Sequence, residues 1–175
     1  MFHPGTQHLI DYWASLPDAT RIPARAAFDP MRLGRLAPQL FSADRTPEGA
    51  SLRLAGGAIE TLHDRSLRGA AWLDLWSPES RPLVASAIVQ TFREARPVIV
   101  VAEAARLRGV IEIVIAPLRQ GDEPAGRLVG LYQTTAGQER RKEAVGPLVA
   151  RLSVGAGVRS RAPLTLAALD GRRIA

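Results

Sequence analysis

Apolar residues recur at Leu9, Trp13 and Leu16, with Gln7, Asp11 and Ser15 on the opposite side. That spacing predicts a helix over Thr6 to Leu16, which Pro17 ends. In "DATRIPARAAFDP" the residues before Pro23 and Pro30 are biased away from the helical region, so the stretch reads as an extended crossing. Asp29 followed by Pro30 has the form of an N-cap and first helical position, opening a short helix, "PMRLGRLAPQL", that Pro38 limits. Leu40 to Asp44 and Ser51 to Ala55 read as strands joined through the turn "TPEGA". Helical pieces follow over Ala58 to His63 and Ala70 to Trp76. A longer helix then runs from Ser77 to Arg96 with the stripe Val84, Ile88, Phe92 and Ala95, and Pro97 stops it.

Beyond Pro97 the period shortens to two. Three strands are predicted, about Val98 to Ala105, Val110 to Leu118 and Arg127 to Thr134, and their short connections make them antiparallel neighbours. Ile111, Ile113 and Ile115 point one way, while Val110 and Val114 flank Glu112 on the other. A sheet apolar on both sides needs a cover on each. The helices between the second and third strands supply one. The other falls to the N-terminal helix through Leu9, Trp13 and Leu16, to a partner subunit, or to both. The last segment, "QERRKEAVGPLVARL", reads as a solvated helix followed by a basic tail.

Composition narrows the chemistry. The chain of 175 residues has no cysteine, which removes disulfides, thiolate nucleophiles and cysteine-ligated metals. No stretch approaches the roughly 20 apolar residues of a membrane span, and "MFHPGTQHLIDYW" lacks the pattern of a secretory leader, so the expected location is cytoplasmic. The net charge is +6, but the segment from Gln138 onward holds +5 of it, leaving the body close to neutral. Of 23 basic residues 22 are arginine, which we read as compositional bias rather than phosphate recognition. The tail has no interleaved aromatic residue, Tyr132 being the last, so nucleic-acid association through it is the weaker reading.

Gly56 and Gly57 belong to no phosphate-loop motif and read as a strand-to-helix turn. His63 has the range of a general base or pH switch, and Glu60, Asp64, Glu103 and Glu112 are the carboxylates it could pair with; a small lyase or isomerase would follow. The other reading makes His63 a half-exposed polar residue, and Glu112 the partner of an arginine or of the N-terminal helix. Arg53 is either a solvent-facing strand residue or the anion anchor of a cavity. Trp72, Trp76 and Phe92, with Ile59, Ile111 and Ile113, are core or the lining of an apolar pocket for a planar or acyl ligand. No metal cluster is predicted.

The order of elements resembles a PAS domain. More narrowly, the spacing of "LIDYWASLP", "RIPARAAFDPMRLGRLAPQLF", "LRLAGGAIETLHDRSLRG" and "APLR" is similar to a family of stand-alone bacterial PAS-like proteins frequent in alphaproteobacteria. The resemblance covers roughly residues 6 to 150 and departs from the family pattern at Asp64, where glycine usually precedes an arginine such as Arg65. It implies an α+β fold, an antiparallel five-stranded sheet with helices on one face and the N-terminal helix on the other. The expected division is a helical cap and crossing over 1–36, a PAS core over 37–136, and a C-terminal helix and basic tail over 137–175. It implies a non-catalytic sensory or protein-interaction module. Arg53, Ile59, His63, Trp72, Trp76, Phe92, Ile111 and Ile113 would face a small ligand, and Leu9, Trp13 and Leu16 would form a homodimer interface, with a signalling protein as the further partner. Haem is not expected, because relatives that bind it carry the ligand on the long helix, and Ser77 to Arg96 contains no histidine; without cysteine, adduct-forming flavin chemistry is not expected either. The cofactor, if any, stays open.

Overall fold

The computed structural model describes residues 2–19, 21–106, 109–121, 126–135 and 144–156, together with the backbone of 166–168. Helix α1, Pro4–Ala14, begins with proline in its first turn, and His3 caps it by accepting the Gly5 N–H on Nδ1 at 3.1 Å. The crossing after it is tied down by short 3-10 turns, and Asp29 caps the one that starts at Pro30 by accepting from Met31 N at 2.9 Å. Two more helices follow, α2 over Gly57–His63 and α3 over Arg81–Arg93, with the 3-10 turn Trp72–Leu75 between them.

The strands are β1 Leu40–Thr46, β2 Gly49–Ala55, β3 Val98–Ala104, β4 Ile111–Leu118, β5 Arg127–Thr134, β6 Leu148–Gly155 and the three-residue β7 Leu166–Ala168. They form one antiparallel sheet in the order β2-β1-β5-β4-β3-β6-β7. The architecture is α+β with helices on both faces, as expected, but the sheet has six full strands and a short seventh rather than five. The sixth replaces part of the expected C-terminal helix. Gly146, at φ 80, and Pro147 do not suit a continuous helix, and the start of the expected one, residues 138–143, lies outside the described residues. From Leu148 the chain instead pairs along the whole of β3, from Ala104↔Leu148 to Val98↔Gly155. Leu148 and Ala150 turn inward, and Arg151 turns to solvent, where it bonds Glu103. The part of the tail from residue 157, the backbone of 166–168 apart, lies outside the described residues.

The sheet separates two cores. On one face α2, the turn at 72–75 and α3 bury Ile59, Trp72, Trp76 and Ile88 against Phe41, Ile111, Ile113 and Ile115. On the other, α1 and the crossing bury Leu9, Trp13, Leu16 and Phe28 against Ile99, Val114 and Leu131. The cover left open by the sequence is therefore α1 of the same chain. Leu9 and Trp13 are 0% exposed and Leu16 is 8% exposed, and the indole of Trp13 donates to Pro117 O at 2.9 Å. These three residues consequently serve the chain's own core and are not available as the dimer surface expected of them. Glu112 follows one of its expected roles: its carboxylate accepts from His3 N at 2.8 Å, fastening the start of α1 to β4.

Candidate functional site

Strand β2 ends at Ala55, and the next residue sits so close to the Pro38 carbonyl that a side chain there would overlap it; glycine at 56 lets the chain turn directly into α2. The helix stops at Asp64, which adopts the left-handed conformation at φ 50, ψ 40. Glycine, which the resemblance led us to expect here, takes this conformation freely, whereas an aspartate fills it at a conformational cost of about 1 kcal/mol. Glu60 then fixes the segment that follows, accepting from Leu67 N at 2.9 Å and Ser66 Oγ at 3.2 Å. That segment comes back onto β2: Gly69 N donates to Leu52 O at 2.6 Å and Leu52 N donates to Ala70 O at 2.9 Å.

With α2 held at both ends, His63 is turned inward and is only 8% exposed, a correction to the half-exposed reading. Its ring meets the edge of Tyr132 at 6.1 Å. Tyr132 Oη accepts from Trp72 Nε1 at 3.0 Å, Trp72 packs on Trp76 at 5.6 Å, and Phe41 lies against both Trp72 and Tyr132 at 5.3 and 5.7 Å. Ile59, Ile111 and Ile113, all buried, belong to the same core. Two ring nitrogens in this group, His63 Nε2 and Trp76 Nε1, are buried without a hydrogen-bond partner. Burial, reinforced by the Arg65 charge, lowers the His63 pKa from its ordinary value to about 4, so the imidazole is neutral at pH 7. Burial also raises the Tyr132 pKa, outweighing the bond from Trp72, and keeps the phenol protonated.

Of the other expected lining residues, one lies outside this core and one at its edge. Arg53 lies at a β-bulge, opposite the register shift between Ser42 and Ala43, and its half-exposed side chain donates to Asp44 Oδ2 at 3.0 Å. Burial would raise the Asp44 pKa, but hydrogen bonds from Arg53 and Arg127 hold it below the ordinary value. Arg53 is thus the solvent-facing strand residue rather than the cavity anchor. Phe92 is half-buried at the margin, its ring 5.0 Å beneath the Arg45 guanidinium. Conversely, Phe41 and Tyr132 belong to the site and were not singled out. Phe41 lies opposite Gly130, where any side chain would occupy the space of its ring. The inward alternation of Phe41 and Ala43 was the available signal.

The acid–base pairing of the lyase reading does not assemble. Glu60 is engaged by Ser66 and Leu67, Glu103 by Arg151 and Glu112 by His3, leaving His63 in an aromatic rather than a carboxylate environment. What the arrangement contains chemically is a packed apolar core with a neutral imidazole, two indoles and a phenol set into it.

No helix among the described residues is long and apolar enough to cross a membrane. None of the curated proteins compared shows significant similarity. The family model described as a PAS domain matches residues 1–133, three quarters of the sequence, including α1, the aromatic core and the strands that carry Ile111, Ile113 and Tyr132. The chain belongs to the PAS domain family.

Proposed function

We propose that this PAS domain is a cytoplasmic, non-catalytic sensory module. Its aromatic core takes a small, largely apolar ligand that carries one hydrogen-bonding group. The observation that carries the reading is the pair of unpartnered nitrogens in an otherwise apolar core. A buried polar group without a partner costs about 1–3 kcal/mol, and a ligand that supplies the partner recovers it. Trp76 Nε1 can only donate, whereas neutral His63 can accept, so a hydroxyl or an amide matches both.

The ligand enters by displacing the segment between α2 and the turn at 72–75, which is held by a few bonds to β2 and to Glu60 rather than by a full strand ladder. Movement there reaches the sheet through Leu52 and Tyr132, and α1 on the opposite face senses it through Trp13 and Pro117. Self-association that used α1 would take place through its exposed side, Gln7, His8 and Asp11, not through Leu9, Trp13 and Leu16. A signalling protein bound there is the alternative reader.

Native mass spectrometry of freshly purified protein tests this. A co-purifying small molecule, diminished in Trp76→Phe, is the expected result. Only ligand-free protein, with tryptophan emission unmoved by a panel of small amides and alcohols, would overturn it.

A further inference from the structure

Outside the aromatic core, two stretches singled out in the sequence, "RIPAR" and "APLR", are brought together. Arg119 N donates to Pro23 O at 2.8 Å and Arg25 N donates to Arg119 O at 2.7 Å, making a short parallel bridge between Ala24 and Arg119. Beside the bridge is an open pocket of about 420 Å³, lined by Arg25, Arg119 and Arg127 with Ala24, Ala26 and Gln120 among its other walls.

All three guanidinium groups are held in place by the chain. Arg25 Nη1 donates to Phe28 O at 3.0 Å, and Arg119 Nη1 donates to Gly121 O at 2.9 Å. Arg127 sets Nε and Nη2 on Asp44 Oδ1 at 3.0 and 2.9 Å. Each guanidinium has five N–H donors, so all three keep donors beyond these bonds. The charges do not balance either. Asp44 is shared between Arg127 and Arg53, and Asp18 approaches Arg119 at 3.9 Å. Of the three arginines that line the pocket, Arg25 is paired with no carboxylate among the described residues.

We propose that Arg25, Arg119 and Arg127 form a binding site for the oxyanion of a small molecule, a phosphate or carboxylate group, separate from the aromatic core. Planar forks already oriented by their own chain match such oxygens two at a time and lose little freedom on binding. The pocket volume lies within the range of small-ligand sites, and Ala24 and Ala26 add no bulky side chain to its lining. An occupant would join the crossing, through Arg25, to the end of β4 and the start of β5, through Arg119 and Arg127.

The test is an NMR titration of the full chain, labelled with ¹⁵N at arginine Nε. Inorganic phosphate and succinate are added separately, with ionic strength held constant by chloride. Saturable shifts with either anion are expected, and which of the two saturates at lower concentration distinguishes a phosphate from a carboxylate site. Arg25→Gln and Arg119→Gln should each raise the half-saturation concentration about tenfold or more. Arg119→Lys should weaken binding while keeping the fold and the charge, and Arg68→Gln, at an exposed arginine outside the pocket, should change nothing. If Arg119→Gln does not fold, Arg25→Gln and Arg119→Lys decide the matter. Shifts that never saturate with either anion, or saturation that survives substitution of Arg25 and Arg119, would overturn the proposal.

Discussion

Acidification from pH 7 to pH 5 probes the enclosure of His63. Burial holds the folded imidazole at a pKa of about 4, below the ordinary 6.5, because the charged form loses its hydration and faces the Arg65 charge. In the unfolded chain the ring is almost wholly protonated at pH 5, whereas in the fold about a tenth of it is. The unfolded state therefore binds more protons throughout the window between about 4 and 6.5. Stability from this group is complete above pH 6.5 and is lost as the pH falls towards 4. Integrated from pH 7 to pH 5, the loss is about 2 kcal/mol, a sizeable share of the roughly 5–15 kcal/mol that holds a domain together. The assay is urea unfolding followed by circular dichroism at both pH values, on the natural chain and on His63→Gln. Every other group is common to the two proteins, so its contribution cancels in the difference. The natural chain should lose about 2 kcal/mol more than the variant. An equal loss would mean that the His63 ring titrates alike in folded and unfolded chains, and that the aromatic wall does not exclude water from it.

Three further outcomes follow from the packing. Trp13→Ala should destabilise the fold by about 3–5 kcal/mol in urea denaturation, while Trp13→Phe should cost less, because it keeps much of the apolar contact and loses the bond to Pro117. Asp64→Gly should stabilise by about 0.5–1 kcal/mol, read as a raised thermal midpoint, since glycine takes the left-handed conformation without the steric cost. Tyr132→Phe should cost about 1–3 kcal/mol by leaving Trp72 Nε1 without an acceptor; removing both groups together, Tyr132→Phe with Trp72→Phe, should show clear non-additivity in a double-mutant cycle.

Much of the fold could be read from period alone. The change from Val84, Ile88 and Phe92 to Ile111, Ile113 and Ile115 marks the passage from helix to sheet, and the apolar Val114 on the other side required a cover that α1 supplies. β6 escaped because Val149, Arg151 and Leu152 lie next to the charge run of 139–143, and that mixture fits a helical face as well as an edge strand; only pairing with β3 decides between them. Within the site, Trp72, Trp76, Ile59, Ile111 and Ile113 were legible as an apolar set, since bulk and periodicity identify a core. The inward turn of His63 was not, because it depends on Glu60 pinning Leu67 seven residues on and on the left-handed Asp64, neither of which changes the hydrophobic pattern. Arg53 was ambiguous for a related reason. A bulge resets the alternation of β2 at that residue, so counting by twos from Leu52 could not say which way it points.

The return of residues 69–71 onto β2 has a consequence for association. β2 is an outermost strand of the sheet, and an outermost strand exposes a row of backbone donors and acceptors to which another polypeptide can add. Here Gly69 and Ala70 occupy the N–H and C=O of Leu52, and Ala71 bridges Ser51, so the position is filled from within. The wall that shuts His63 from water is continuous with the guard that keeps this sheet from growing. Were that wall lifted, the N–H and C=O of Leu52 would lose their partners, and this edge of the sheet would present free backbone groups.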